Sequence, residues 1–444
     1  MTIRIAHPAR RRARVAFVSL CLLFAFSSSP AGSEAGRSAA SRGTDPWTLD
    51  AELTAPDGAA NDFLGRSVAI DGDTVVVGAA GSDVDGSESQ GAAYVFVRSG
   101  DEWLQQAKLT AADGVAGDEF GFAVAISGDT IVVGARFVST DGIDGRGAAY
   151  VFLRNGTSWD EQARLVADDA AAFDELGFSV NVDGDVAAVG APFANGSQGK
   201  VYVFTRADAA WSAGDMIAAD DGAASDRFGL SIGLGADTIA IGAPSADVAA
   251  NADQGAVYVY ARSADSWELQ QKVSGTDSAA FDEFGASVAL DGDTMLVGAH
   301  YANVDFNQNQ GAAYVFERTD TSWSETSKLL GDDSSFTDEF GFSVALRGDT
   351  AIVGALFANP NGNENQGEAY AYSRSGSDWT QVARLVSDGA AGDEFGIGAA
   401  VDGTTAVVGA ESAAVDGEWA GAAYVFSSAP VVQDVIFVDG FDGS

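Results

Sequence analysis

Two short glycine phrases, 13 residues apart, recur seven times along the 444-residue chain, and this constrains its fold more than any other feature. The first phrase ends at Gly65, Gly121, Gly177, Gly229, Gly285, Gly341 and Gly396, each preceded by Phe or Leu. The second opens at Gly78, Gly134, Gly190, Gly242, Gly298, Gly354 and Gly409. Successive copies lie 56, 56, 52, 56, 56 and 55 residues apart. Two further marks keep the same beat. One is Gly91-Ala92-Ala93-Tyr94-Val95-Phe96 and its variants, and the other is a tryptophan at 47, 103, 159, 211, 267, 323 and 379. Such a chain is an array of like units, each too small to bury an apolar face without its neighbours.

Each unit reads as four strands. Ser67-Val68-Ala69-Ile70 alternates small and apolar residues, and Asp71-Gly72 supplies a two-residue hairpin turn. Thr74-Val75-Val76-Val77 is β-branched and continuously apolar, as a strand covered on both faces must be. Ala93–Val97 is the third strand, and the fourth runs from Trp103 to about Thr110. No window keeps a 3.6-residue apolar period, so the chain is expected to be all-β. A four-stranded unit repeated seven times predicts a seven-bladed β-propeller of antiparallel blades. The strand from Trp47 has no three strands before it, and the last unit, ending at Tyr424-Val425-Phe426, has no tryptophan strand after it. The N-terminal strand is therefore expected to complete the last blade, leaving no open edge.

With Phe-Gly and the Gly-Ala-Pro of residues 190–192 and 242–244, these units resemble the FG-GAP repeat of integrin α-subunit propellers and of many bacterial secreted proteins. The resemblance spans 47–427. It implies an extracellular propeller and no single activity. In the integrin pattern calcium sits in an elongated loop between the first two strands. Here Asp71-Gly72-Asp73, Asp183-Gly184-Asp185 and Asp291-Gly292-Asp293 leave room only for tight hairpins, so those metal residues have no counterpart.

Residues 1–31 read as a secretory signal: five arginines, an apolar run from Val15 to Phe26, and the small residues Ser29-Pro30-Ala31. That run is too short to span a membrane. A twin-arginine signal is the runner-up, and Cys21 lacks the small residues before it that a lipid anchor requires. Residues 32–46 read as a flexible linker and 428–444 as a tail. Loss of five arginines and no acids takes the formal charge from −40 to −45 and removes the one cysteine. The exported part thus has no disulfide, and its charge excludes nucleic acid and anionic membranes as partners. A monomer that binds an extracellular protein or glycan is expected, with no membrane insertion.

Candidate site residues fall in two loops. Before each first glycine stand two aspartates five apart: Asp57 and Asp62, Asp113 and Asp118, Asp277 and Asp282, Asp388 and Asp393 among them. These either cap turns by accepting backbone N–H groups or hold a hard cation, Ca²⁺ being the candidate cofactor. Between the second and third strands oxygen-bearing side chains alternate: Asp83 and Asp85, Asn303 and Asp305, Asn359 and Asn361. Spacing of two places them on one side of an extended loop, yet no bidentate glutamate follows as in an EF-hand. Trp419, the eighth tryptophan, lies off the repeat beside Asp416 and Glu418, where an exposed ring would stack on a sugar. Both loop sets should emerge on one face. Arg347-Gly348-Asp349 occupies a repeat hairpin and reads as drift. With His300 the only histidine past the signal, multi-histidine metal chemistry is excluded and a histidine-based triad disfavoured. No blade carries a carboxylate pair that its fellows lack. The expected role is a non-catalytic extracellular binding or adhesion module. The alternatives are a structural surface or matrix component, and a carboxylate-based glycoside or ester hydrolase.

Overall fold

The protein, described by a computed structural model over residues 47–263 and 266–428, is a seven-bladed β-propeller of four-stranded antiparallel sheets. The expected signal, linker and tail lie outside the described residues, apart from Ser428. In the first blade the strands are Leu64–Asp71, Thr74–Ala79, Ala92–Ser99 and Glu102–Leu109, paired in chain order. The second strand is fully buried from Thr74 to Ala79, which is why it carries no polar alternation. The fourth strand alternates exposed and half-covered residues and forms the rim. The only helical turns among the described residues, Ala194–Ser197 and Pro360–Gly362, interrupt long loops.

The paired glycines mark where neighbouring blades touch. A Cβ on Gly134 would stand 2.0 Å from the carbonyl oxygen of Gly177, the first glycine of the following blade. Gly177 itself has φ +92, and a Cβ there would meet the carbonyl oxygen of Ala148 at 2.3 Å. The innermost strands approach backbone to backbone at these points, and only glycine on both sides permits it. The residue before each first glycine fills the space beneath. Phe120 is wholly buried, edge-on to Tyr150 at 5.5 Å and to Phe152 at 5.9 Å. Burying one such ring contributes about 1.5–3 kcal/mol, and the position recurs in every blade.

Arginines staple the blades on the opposite, short-hairpin side. Arg154 reaches the Thr74 hydroxyl of the preceding blade at 2.7 Å, and Arg206 reaches Thr130 at 3.0 Å. Each staple lies over its own blade's tryptophan, Arg154 being 4.3 Å from the Trp159 ring. Arg98 reaches Thr405 in the same way, linking first blade to last. In that last sheet the order from the rim inward is Trp47–Leu53, Ala422–Ser428, Thr405–Ala410 and Phe395–Asp402. Trp47 pairs with Ser428 and Leu53 with Ala423. Gly409 abuts Gly65 as each second glycine abuts the next blade's first.

Candidate functional site

The two aspartates before each first glycine have separate jobs. The second caps its own turn: Asp62 Oδ2 accepts the Ala59 N–H at 3.0 Å, Asp118 that of Val115 at 2.8 Å, Asp282 that of Ala279 at 2.7 Å and Asp393 that of Ala390 at 2.6 Å. All four are buried, and burial raises each carboxyl above the ordinary aspartate range. The first aspartate ties the blade junction together. Asp57 accepts the Tyr94 hydroxyl at 2.8 Å and the Lys108 ammonium at 2.5 Å. Burial pushes Asp57 upward, but hydrogen bonds from Lys108 and Tyr94 outweigh it and hold the carboxyl below its usual range. Asp113 accepts from Tyr150 and Arg164 in the same geometry, and Asp277 from Tyr314 and Lys328.

Two junctions depart from this rule. In the third blade Met216 stands where the cation would be, and Lys200 supplies it from the neighbouring strand, 2.6 Å from Asp169. At the last junction Glu52 occupies the position, and among the described residues no lysine or arginine replaces it. Glu52 is raised by burial and then by the charges of Asp388 and Asp393, while Tyr424 donates to Glu52 at 3.5 Å. Among the described residues no three His, Cys, Asp or Glu side chains are grouped to hold a metal ion.

The long loops between second and third strands lie against these junctions, the Glu119 and Phe120 N–H groups bonding the Ser89 and Gln90 carbonyls. The loops are wound, not extended as their alternating pattern suggested. Asp85, Asp305 and Asn361 all have positive φ, between 47° and 56°, which turns the chain and breaks the one-sided array. Asp83, Asn303 and Asn359 brace the loops from within, each accepting the N–H six residues on at 2.8–3.0 Å. Asp416 turns the short hairpin of Ala414–Val415 and Glu418–Trp419, leaving Trp419 69% exposed. Arg347 is held by Asp291 at 3.7 Å and Asp402 at 3.4 Å, and Asp349 pairs with Arg374 at 2.8 Å, so the tripeptide is engaged within the molecule.

The chemistry unlike that of the repeat gathers at the channel mouth on the long-loop side. The innermost strands enclose there a cavity of about 290 Å³, walled by the residues that follow each first glycine, among them Phe122, Phe178, Ala286 and Phe342. Above it runs a belt built from two positions per blade, the second residue before the first glycine and the residue after Gly-Ala. In the second and third blades the belt is charge-matched. Arg136 bonds Glu119 at 2.7 Å and Glu175 at 3.4 Å, and its guanidinium lies 3.9 Å from the Phe122 ring and 4.3 Å from Phe137. Burial, partly offset by Arg136, pushes Glu175 up to about 7. Arg227 pairs with Glu283 at 2.9 Å and with the Ser245 hydroxyl, and Arg66 pairs with Glu411 at 2.9 Å.

The match fails between the fifth and sixth blades. His300 stands in the place of Arg136, is 7% exposed, and has an Nδ1 without a hydrogen-bond partner. Burial, then the nearby Arg227, pushes it down to about 3, so the imidazole is neutral. Glu339, equivalent to Glu175, is 8% exposed and has no hydrogen-bonding or ionic partner for its carboxylate among the described residues. Burial, then the charge of Glu283, pushes it up to about 8. Reading the repeat for what it shares passed over this belt. Its signal is the reverse: Ala80, Arg136, Pro192, Pro244, His300, Leu356 and Glu411 fill one position with six different residue types within otherwise constant text.

No curated protein matches the chain. A family model described as the FG-GAP repeat matches seven times, at residues 47–96, 103–152, 159–204, 211–260, 267–316, 323–372 and 379–426. FG-GAP repeats are typical of extracellular proteins, and among the described residues no helix is long and apolar enough to cross a membrane. Each match takes in the outer strand of one blade and the three inner strands of the next, and by these seven matches the chain belongs to the FG-GAP repeat family.

Proposed function

We propose that this propeller is a non-catalytic extracellular binding module whose partner, a protein or glycan, engages the long-loop side at the channel mouth. The observation that supports it is where variation lies. Packing positions repeat from blade to blade, whereas the belt residues differ, leaving the buried His300 Nδ1 unmatched and the Glu339 side chain, 8% exposed, without a partner among the described residues. A scaffold repeated for spacing alone has no reason to collect its unlike residues around one opening. The exposed rings of Phe281, Phe306, Phe336 and Trp419, all on long loops or junctions, widen the surface available to a partner. Export through the N-terminal segment belongs to the same reading.

Glycan and extracellular-protein arrays probed with the full chain test this. Binding that is weakened by Phe342→Ala and by Trp419→Ala is expected. No binding on either array would favour the structural-component alternative, and turnover of a bound glycan would favour the hydrolase. A second proposal concerns Ca²⁺. Six of the seven junctions carry an internal ammonium or guanidinium; at the seventh the charges of Asp388 and Asp393 act on Glu52, although the three are not grouped as a ready-made metal site. Calorimetry with Ca²⁺ tests that junction.

A further inference from the structure

The belt contains its own template for a ligand. Around Arg136 the protein surrounds one guanidinium with two carboxylates, Glu119 and Glu175, and with the rings of Phe122, Phe137 and Phe178, the last at 5.8 Å. Three repeats further on, the same frame recurs with different contents. Glu283 and Glu339 replace the two acids, Tyr301 replaces Phe137, and Phe342 replaces Phe178. The guanidinium has no counterpart, because His300 is short, neutral and packed 5.4 Å from the Phe342 ring. Ala286 replaces Phe122 and lines the cavity, so the space that one ring closes in the second blade is open in the fifth.

The surrounding charges do not make up the difference. Arg227 reaches into the frame from the fourth blade, but it is spent on Glu283 and Ser245. Asp338, beside Glu339, accepts the Ser335 N–H through Oδ2 at 2.6 Å, while its buried Oδ1 has no partner and adds to the unmatched acidity. Tyr301 feels both acids: burial, then Glu339 and Glu283, pushes its phenol up to about 12. A buried carboxylate without a partner is costly, and a cation delivered from outside relieves that cost as Arg136 does within the chain.

We propose that the mouth between the fifth and sixth blades binds a small organic cation, a guanidinium or ammonium group placed against Glu339 with Phe342 and Tyr301 flanking it. This deepens the binding-module reading and rests on it. The group has two conceivable carriers, a free amine or guanidine and a lysine or arginine side chain borne on a peptide. The cavity of about 290 Å³ that Phe342 and Ala286 help to line, at the small end of what such ligands require, would take the ligand's body, while Glu339 and Tyr301 stand outside its lining. Aromatic walls add cation–π attraction to the ionic contact, as they do around Arg136.

The test is calorimetric titration of the full chain with agmatine, putrescine and an arginine-containing tripeptide. Saturable binding of at least one is expected, tenfold or more weaker in Glu339→Gln. His300→Arg should weaken it similarly, because the chain then supplies the guanidinium found at position 136. Asp101→Asn, an exposed turn on the other side, should leave it unchanged. Because Glu339 is largely protonated at neutral pH, binding should release a proton, so affinity should rise about tenfold per pH unit below about 8. His300 and Tyr301, pushed to about 3 and about 12, keep their charge states across that range, and loss of the slope in Glu339→Gln assigns it to Glu339 rather than to Glu283 or Asp338, which burial also raises. Agmatine binding assigns a free ligand, and tripeptide binding alone assigns a peptide-borne one. Absence of saturable binding overturns the inference and leaves the array result standing. Binding that survives both substitutions, or releases no proton, also overturns it, since the cation would then sit on the general acidic surface.

Discussion

Glu52→Lys should stabilise the ring, and the repeat itself supplies the estimate. At six junctions a lysine or arginine lies 2.5–2.8 Å from the first aspartate of the pair. At the seventh, Glu52 instead adds a third negative charge beside Asp388 and Asp393. The reference pair is half in solvent, Lys108 and Asp57 being 26% and 54% exposed as side chains. Such a pair contributes only about 0.2–1 kcal/mol, and relieving like-charge repulsion of similar geometry adds a comparable amount. The net expectation is about 1 kcal/mol, which for a domain of this length raises the melting temperature by roughly 1–2 °C. Calorimetry of both proteins at neutral pH and low salt reads it directly. The gain should shrink at high ionic strength and in acid, where Glu52, raised by burial, has already lost its charge in the parent protein and its repulsion is gone. An unchanged or lower melting temperature would refute the claim that the seventh junction lacks what the others possess. A gain indifferent to both salt and acid would refute its electrostatic origin.

Gly134→Ala should remove about 3 kcal/mol or abolish soluble expression, because its Cβ falls 2.0 Å from backbone, whereas Gly128→Asn, in an open hairpin, should cost under about 1 kcal/mol in urea unfolding. Stability should decline with rising pH: Glu339 and Glu175, raised to about 8 and about 7, keep protons in the folded state that the unfolded chain releases near pH 4.5. Melting temperatures from about pH 5 to 8 should therefore fall, and Glu339→Gln should flatten the upper part of that fall. Calcium calorimetry should yield no more than one site per chain, lost in Glu52→Lys, because internal cations already occupy the other six junctions. Two or more sites would overturn that assignment.

The strands and their order were legible because the repeat states them seven times, and the hairpin expected at Asp71-Gly72 is present one residue on, Asp71 pairing with Thr74 across the loop residues Gly72 and Asp73. The turn-capping role of Asp62 and its equivalents was legible too, since it needs only neighbours in the chain. The partner of Asp57 was not. Lys108 lies 51 residues away, and its meeting with Asp57 depends on how one blade packs on the next. The belt was harder still. Glu175 and Arg136 are 39 residues apart, and their significance shows only once the ring sets them side by side. Alternation in the Asp83 loop misled for a local reason: a left-handed residue at Asp85 destroys the spacing that an extended chain would keep.

The strand pairing of the last blade has a consequence for biosynthesis. Glu52 and Tyr424 are 372 positions apart, so the first of the described strands to leave the ribosome waits for the last of them before it has a partner. Throughout that interval two hydrogen-bonding edges lie bare, and every nascent copy carries the same complementary pair. Crowded synthesis would thus favour chains that exchange their leading segments, and dilution or slow export would favour self-closure.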